Sequence, residues 1–504
     1  MLERYVKKIL AARVYDVART TPLQPLDGLS ERLDTPLQAK REDLQPVFSF
    51  KLRGAYNKMA GLTDEQRSRG VITASAGNHA QGVALAAKTL GCVATIVMGR
   101  NTPSIKINAV KRHGGRVVLH GDTYDDASEH ARALEQSEGL TYVHPYDDVD
   151  VIAGQGTVGM EILNQHHGEL DAIYVPVGGG GLISGIAAYV KYLRPEVRIV
   201  GVEAEGSACL SVAKAANRRV RLPYETLDLF ADGVSVAQVG KETFRVCRKH
   251  VDEVITVSTD EICAAVKDLY DDMRSIAEPA GALSVAGLKK VVEARGPQGP
   301  AVVVVSGANV NFDRLRHISE RAEVGEHREV VLGVTIPEKP GSFRRFCRTL
   351  GKRSVTEFNY RCSTAEQAHV YVGAQVTEPH DGEALIARLR NAGYAVEDMT
   401  LNETAKLHVR HMVGGRSSAS GPELLYRFEF PERPGALMRF LNGLGSRWNI
   451  TLFHYRNHGA AWGRVLVGFE GERRDARELE AFLREIGYRY WDESGNAAYR
   501  LFLR

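Results

Sequence analysis

The chain has 504 residues, 44% of them hydrophobic and 25% charged, with a formal net charge of +3; that is length for roughly two to four domains with a large core, and too little basic excess for a nucleic-acid partner. No apolar run approaches the ~20 residues of a membrane span, and the charges spread through "MLERYVKKILAARVYD" exclude a secretory signal. Cys92, Cys209, Cys247, Cys263, Cys347 and Cys362 form no CxxC pair, so neither a metal site nor a disulfide framework is indicated, and a cytoplasmic chain with reduced thiols is expected.

The first residues read as an amphipathic helix. Next comes "REDLQPVFSFKLRGA", in which an aromatic residue precedes the basic pair Lys51 and Arg53. On residue type alone such a lysine is a solvated surface group. From about Val71 to Val305 the apolar runs "VITA", "VATIV", "RVVL", "TYV", "IYVPV", "RIVGVE", "EVITV" and "AVVVV" alternate with stretches of helical spacing such as "GLISGIAAYVKYL" and "DEICAAVKDLYDDM". Continuous apolar strands separated by helices predict parallel sheet covered on both faces, with ligands beyond the carboxyl ends of the strands.

Three stretches occupy such ends. "ASAGNHAQG", Ala74 to Gly82, follows "VITA" and opens a helix; its amides suit an anion such as a carboxylate, although taken alone it is equally a capped turn. In "VPVGGGGLISG" four glycines join a strand to a helix start, where backbone amides can wrap a phosphate. It matches neither GxGxxG nor GxxxxGK[ST], which implies a phosphate without nucleotide machinery. "VVVVSGANVNFD" ends a buried strand on the hydroxyl of Ser306.

Beyond about Glu326 the sequence repeats itself. Pro340-Gly341 aligns with Pro434-Gly435, Phe346 with Phe440 and Leu350-Gly351 with Leu444-Gly445, all 94 residues apart. After one extra residue Tyr360-Arg361 matches Tyr455-Arg456 and Val370 matches Val465. Each copy reads strand, loop "P-E-x-P-G", helix, strand, strand, helix. "SERAEVGEHREV" is charged and lacks periodicity, and "HMVGGRSSASGPE" separates the copies, so the expected domains are 1–326, 327–400 and 423–504, with a linker over 401–422.

Together these motifs, with "ADG" at Ala231–Gly233, "EPAGA" at Glu278–Ala282 and "SGAN" at Ser306–Asn309, resemble the fold-type II pyridoxal-phosphate enzymes, and most closely their biosynthetic threonine dehydratase family. The duplicated part resembles that family's two ACT-like regulatory modules. The resemblance implies an α/β catalytic unit of two parallel-sheet subdomains followed by two α+β modules. It makes Lys51 the Schiff-base lysine for pyridoxal 5'-phosphate, with Phe50 against the ring, Asn78 on the ring hydroxyl and Ser306 facing the pyridine nitrogen. Gly178, Gly179, Gly180, Gly181 and Leu182 would hold the phosphate. The substrate carboxylate is expected on the amides of Ser75, Ala76, Gly77, Asn78 and His79, the His79 ring being structural.

L-Threonine is the implied substrate, isoleucine the inhibitor, valine the activator and a homotetramer the assembly. Effectors are expected at the duplicated loops, on Pro340, Gly341 and Ser342 and on Pro434 and Gly435, with Phe343, Phe346 and Leu437 as apolar neighbours. Two other readings remain open at this point: a serine dehydratase or serine racemase of the same fold, and a non-catalytic amino-acid sensor.

Overall fold

The computed structural model describes residues 1–496 except positions 101, 122, 224–225, 229, 313, 327, 363–365, 378, 403–404, 406–408, 410–421, 432–435, 445–447, 457–461 and 473. The chain divides into two units, Met1–Ala322 and Glu323–Arg504.

In the first unit the strands are β1 (Leu23–Pro25), β2 (Leu37–Arg41), β3 (Val71–Ala74), β4 (Ala94–Met98), β5 (Arg116–Leu119), β6 (Thr141–Tyr142), β7 (Ala172–Pro176), β8 (Arg198–Ala204), β9 (Glu253–Val257) and β10 (Ala301–Val305). Among the described residues they form two sheets. The smaller runs β5-β4-β3-β6 and is all parallel. The larger runs β1-β2-β10-β7-β8-β9 and is parallel except for β1. Side chains of a strand alternate between faces, and β10 shows it directly: Ala301, Val303 and Val305 enter one apolar core and Val302 and Val304 the other. The helices Thr259–Met273 and Pro279–Arg295 furnish the first of these cores, and the helices Val149–Gln165, Gly181–Leu193 and Lys241–His250 the second.

The sequence reading lacked β1 and β2. Both are short and polar, and β2 is nevertheless interior because Lys40 and Arg41 are buried with charged partners. A second correction concerns "SERAEVGEHREV", expected to be aperiodic. Its first part belongs to the helix Arg314–Gly325, whose Ile318 and Ala322 complete the core around β10. One apolar position per turn, set among charges, is enough to dock a helix and too little to stand out as a pattern.

The second unit is built on β11 (Glu329–Pro337), β12 (Val355–Cys362), β13 (Gln367–Gln375), β14 (Ala395–Asp398), β15 (Glu423–Pro431), β16 (Ile450–Arg456), β17 (Trp462–Glu470) and β18 (Arg489–Asp492). They form one antiparallel sheet, β14-β11-β13-β12-β16-β17-β15-β18. The two copies meet where β12 pairs with β16, Asn359 opposite His454. Each copy carries a register shift at the same place, between Val355 and Glu357 and between Ile450 and Leu452, so the duplication extends to backbone irregularities. The helices Ser342–Leu350, Pro379–Asn391, Ala436–Leu444 and Ala476–Ile486 join a single apolar core with this sheet. The four-residue edge strands β14 and β18 extend each module beyond the expected pattern. Pro434 and Gly435, and most of the expected linker, lie outside the described residues.

A chain ending at Glu326 keeps the helix Arg314–Gly325 and is expected to unfold cooperatively on its own. Ending it at Asn311 removes Ile318 and Ala322 from their packing and should lower stability by on the order of 3 kcal/mol, read as the shift in urea midpoint.

Candidate active site

The residues before Lys51 are zipped onto the end of β10. Ser49 bridges to Gly307, the Phe50 amide donates to the Ser306 carbonyl at 3.3 Å, and the Ala308 amide donates to the Phe48 carbonyl at 2.9 Å. Phe48 accordingly adopts φ +55°, a left-handed conformation that costs a residue with a β-carbon about 1 kcal/mol. Lys51 then opens the helix Lys51–Ala60 at the carboxyl edge of the larger sheet. Its Nζ donates to the Pro145 carbonyl at 3.1 Å and lies 5.3 Å from the centre of the Phe50 ring. Lys51 keeps some contact with the cleft, yet burial pushes its ammonium down to about 8, with Glu278 working the other way.

Arg53, two residues on, points into the protein and is fully buried. Its guanidinium meets Glu42 at 2.7 and 2.8 Å and Glu161 at 2.6 and 3.0 Å, and Lys40 meets Glu161 at 2.6 Å. Burial works to raise the Glu161 carboxyl; Arg53 and Lys40 outweigh it and hold it below the usual carboxylate range. The helix carrying Lys51 also crosses the helix Val149–Gln165 backbone to backbone, since a β-carbon on Gly154 would stand 2.7 Å from Gly54 Cα.

At the end of β3, the Ser75 amide donates to the Val97 carbonyl and the Gly77 amide to Ser75 Oγ. Two of the five amides expected to receive a carboxylate are therefore engaged; those of Ala76, Asn78 and His79 have no partner among the described residues. The Asn78 side chain donates to Glu278 Oε1 at 2.6 Å and accepts from Asn309 Nδ2 at 2.7 Å. His79 Nε2 lies 3.0 Å from the Val143 carbonyl, which can only accept, so the proton sits on Nε2. Burial and Lys51 push His79 down to about 3, which keeps it neutral.

The glycines after β7 are shaped by what presses on them. A β-carbon on Gly178 would stand 2.9 Å from Val234 Cα, and one on Gly179 2.3 Å from the Tyr146 ring; Gly180 has φ +89°. Thr243 Oγ1 donates to the Gly179 carbonyl at 2.7 Å, turning that carbonyl away, and the amides of Gly178 to Gly181 have no partner among the described residues. Leu182 follows in the first turn of the helix. Ser306 is buried, its Oγ 3.4 Å from the Ala280 carbonyl. An unfilled set of amides at a helix start, a lysine with a depressed ammonium and a neutral hydroxyl together fit a phosphorylated aldehyde cofactor with a pyridine ring.

Comparison with known proteins places this geometry. Residues 14–307 match the family of pyridoxal-phosphate dependent enzymes, and residues 320–409 and 414–503 each match the C-terminal regulatory domain of threonine dehydratase. The chain is 54% identical to the biosynthetic L-threonine dehydratase of Burkholderia multivorans over 503 residues, 99% of each chain. The chain belongs to the biosynthetic threonine dehydratases. Its identity to the Escherichia coli member is 52%, over 99% of this chain and 97% of that one. Among solved structures it is similar to the processed form of threonine deaminase isoform 2 from Solanum lycopersicum, at 48% identity and a TM-score of 0.62, covering 64% of this chain and 93% of that one. Serine racemase from Dictyostelium discoideum is similar over 61% of this chain and 99% of that one, at 32% identity and a TM-score of 0.56.

As in other threonine dehydratases, the cofactor is pyridoxal phosphate. Sequence reading assigned no task to Glu278, Asn309 or Tyr146, which the fold brings to the site from distant positions. "EPAGA" and "SGAN" were the available signals for the first two, and nothing in "VHPYDD" pointed to Tyr146. For this threonine dehydratase, Arg53→Met is expected to leave buried Glu42 without its cation and Glu161 with Lys40 alone, and to cost about 3–5 kcal/mol at pH 7. The wild-type contribution of Glu161 is fully present above about pH 4.5 and is lost as pH falls from there through its lowered folded-state pKa, so urea midpoints of the two proteins should converge over that acid range.

Proposed function

We infer that Lys51, the Ser75–His79 loop, Gly178 to Gly181 with Leu182, and Ser306 carry out in this chain the pyridoxal-phosphate-dependent deamination of L-threonine to 2-oxobutanoate and ammonia, the first step of isoleucine synthesis. The observation that carries this is Lys51 itself, an amine pushed down to about 8 at the carboxyl edge of the sheet, in a fold that leaves amides at two helix starts without a partner among the described residues. Pyridoxal phosphate, when bound, supplies the electron sink for the substrate α-carbon. The chain does the rest. Free Gly178–Gly181 amides receive the phosphate, and those of Ala76, Asn78 and His79 the substrate carboxylate. Phe50, 5.3 Å from Lys51 Nζ at its ring centre, would lie against the cofactor ring. Lys51, neutral in useful proportion near pH 8, takes the α-proton at Nζ. Ser306 would offer the pyridine nitrogen a hydroxyl in place of a carboxylate, which would leave that nitrogen less protonated and favour prompt loss of the β-hydroxyl.

Preference for threonine over serine rests on one methyl, about 1–3 kcal/mol in a pocket. The duplicated C-terminal part favours the biosynthetic role over a serine racemase or a bare sensor. We place isoleucine as inhibitor and valine as activator in these modules, and the active form as a cytoplasmic homotetramer. No helix among the described residues is long and apolar enough to cross a membrane. Support for the first effector loop is Gly341 at φ +84°, capping the helix Ser342–Leu350 beside Pro340. The Ser342 amide is engaged with the Lys339 carbonyl, which leaves those of Gly341, Phe343 and Arg344 for a carboxylate. Phe343 and Phe346 are core residues, and Leu437 packs at the core's margin.

Lys51→Ala is expected to abolish the cofactor's visible band and lower keto-acid release from threonine by at least about four powers of ten; wild-type release would remove Lys51 from this role. Gly341→Val places a branched residue where φ is positive and is expected to raise the isoleucine concentration for half-inhibition several-fold. Melting temperature and turnover without effector serve as its baselines. An unchanged titration curve from the folded variant would move the inhibitory site elsewhere.

A further inference from the structure

The motifs "ADG" and "EPAGA", and in "SGAN" the residues after Ser306, are without a task in the reaction. All three meet at one carboxyl. Glu278 is 3% exposed and accepts from Asn78 Nδ2 at 2.6 Å. A β-carbon on Gly307 would stand 2.5 Å from Glu278 Oε1, so this glycine leaves room for the side chain, and Gly233 lies within ordinary contact distance of the same oxygen, 3.6 Å from where its β-carbon would be. The Glu278 amide donates to the Gly307 carbonyl at 3.1 Å. Asn309 Nδ2 donates both to the Val47 carbonyl, at 2.8 Å, and to Asn78 Oδ1, at 2.7 Å. A carbonyl only accepts, so both amide protons of Asn309 are committed and the oxygen of Asn78 must face it. The nitrogen of Asn78 then faces Glu278, with one N–H still to give.

We propose that Glu278 is a positioning residue for the cofactor: with Asn309 it locks the Asn78 amide in the orientation that leaves one donor for the ring hydroxyl. This rests on the placement of the ring beside Asn78 given above. The lock is sensitive to pH. Burial, then Asp232, pushes the Glu278 carboxyl up to about 7, while Asn78, Lys106 and the Asn309 backbone amide pull it down. Of the surrounding charges, Lys106 is tied to Asp232 at 2.5 Å, Arg314 stands 3.8 Å from Asp232, and Lys51 faces Glu278 across the site. An ionised carboxylate is the stronger acceptor, so the lock tightens as pH rises through about 7. Stability moves the other way: the folded chain holds this proton more tightly than the unfolded one, so Glu278 lowers stability progressively between about pH 4.5 and 7.

The test is Glu278→Gln in the holoenzyme, followed by the visible band of bound pyridoxal phosphate from pH 6 to 9, by the Kd for pyridoxal phosphate added back to apoprotein, and by thermal unfolding. The wild-type band should shift with a midpoint near 7. Glu278→Gln is expected to lose that transition and to weaken cofactor binding about tenfold above pH 8, while losing the decline in Tm between pH 4.5 and 7. A variant with the wild-type spectral midpoint and a Kd within twofold overturns the proposal, even if its Tm changes, because a purely structural role would move Tm alone.

Should Glu278→Gln fail to fold, Asn309→Ala breaks the lock from its other side. It is expected to weaken binding at every pH while keeping the transition, and a wild-type Kd would overturn the proposal equally. Asn78→Ala separates the two levels. Unchanged binding there means the ring does not lie beside Asn78, whereas weakened binding there, with unaffected Glu278→Gln and Asn309→Ala, overturns the lock alone.

Discussion

Arg53 reaches no water, and its guanidinium is shared between Glu42, which follows β2, and Glu161, on the helix Val149–Gln165. Lys40 completes a set of two cations and two carboxylates. Taking four charges out of water costs several kcal/mol each, so such a group is tolerated only where geometry and hydrogen bonds are complete. Here Thr157, Thr21 and Gln45 occupy remaining sites on the charged groups. The consequence falls on Lys51. Two residues apart on a helix is a rotation of about 200°, so when Arg53 is pinned inward Lys51 must face the cleft. The basic pair in "SFKLRG" is one device with two ends, the inner fixing the direction of the outer.

The opposite solution shapes the loop after β7. Where the cationic end needs charges bolted into the core, the glycine loop after β7 needs the absence of side chains, and its four glycines are pressed by Val234, Tyr146 and Thr243 so closely that a β-carbon would force those neighbours aside. Asp147 accepts from the amides of Lys241 and Glu242 at 2.7 Å each, holding the helix that carries Thr243. Pro145, between His144 and Tyr146, accepts from Lys51. A five-residue segment after β6 thus touches both the lysine and the glycine loop, which explains how two motifs more than a hundred positions apart keep a fixed relation.

What sequence could reveal followed from how local the physics was. β10 was legible because both its faces are buried and every position is apolar. β2 was not, because its buried residues are charged and neutralised by partners far along the chain. Lys51, Asn78 and the glycines lie in short runs whose backbone chemistry is visible in a few letters. The lock on Asn78 joins residues 200 and 231 positions apart, and no local pattern encodes that. The loop after β3 shows the same limit at finer scale: "ASAGNHAQG" displays five amides, but only the pairing of β3 with β4 shows that the Ser75 amide continues the sheet's hydrogen bonding and is already used.

Duplication in the second unit has a physical consequence of its own. Either copy alone would expose β12 or β16 as a free edge, a row of unpaired backbone groups prone to adventitious pairing. Joining them removes both edges and fuses the two cores. Phe343, one residue after Ser342, packs not only on Phe358 and Tyr360 of its own copy but also on Phe453 of the other, with ring centres 5.2 Å apart. Tyr360 in turn donates to Glu338 of the first loop at 2.7 Å, and Asn449 of the second copy approaches the same carboxylate at 3.5 Å. The first loop is therefore held by side chains of both copies. A ligand that prefers one arrangement of that loop must shift contacts in the second copy as well, and a ligand seated in the second copy acts back on the first by the same free energy. Two ligands seated in different copies would need no separate switches under this arrangement, because one shared, closely packed core would give both of them a single equilibrium to bias.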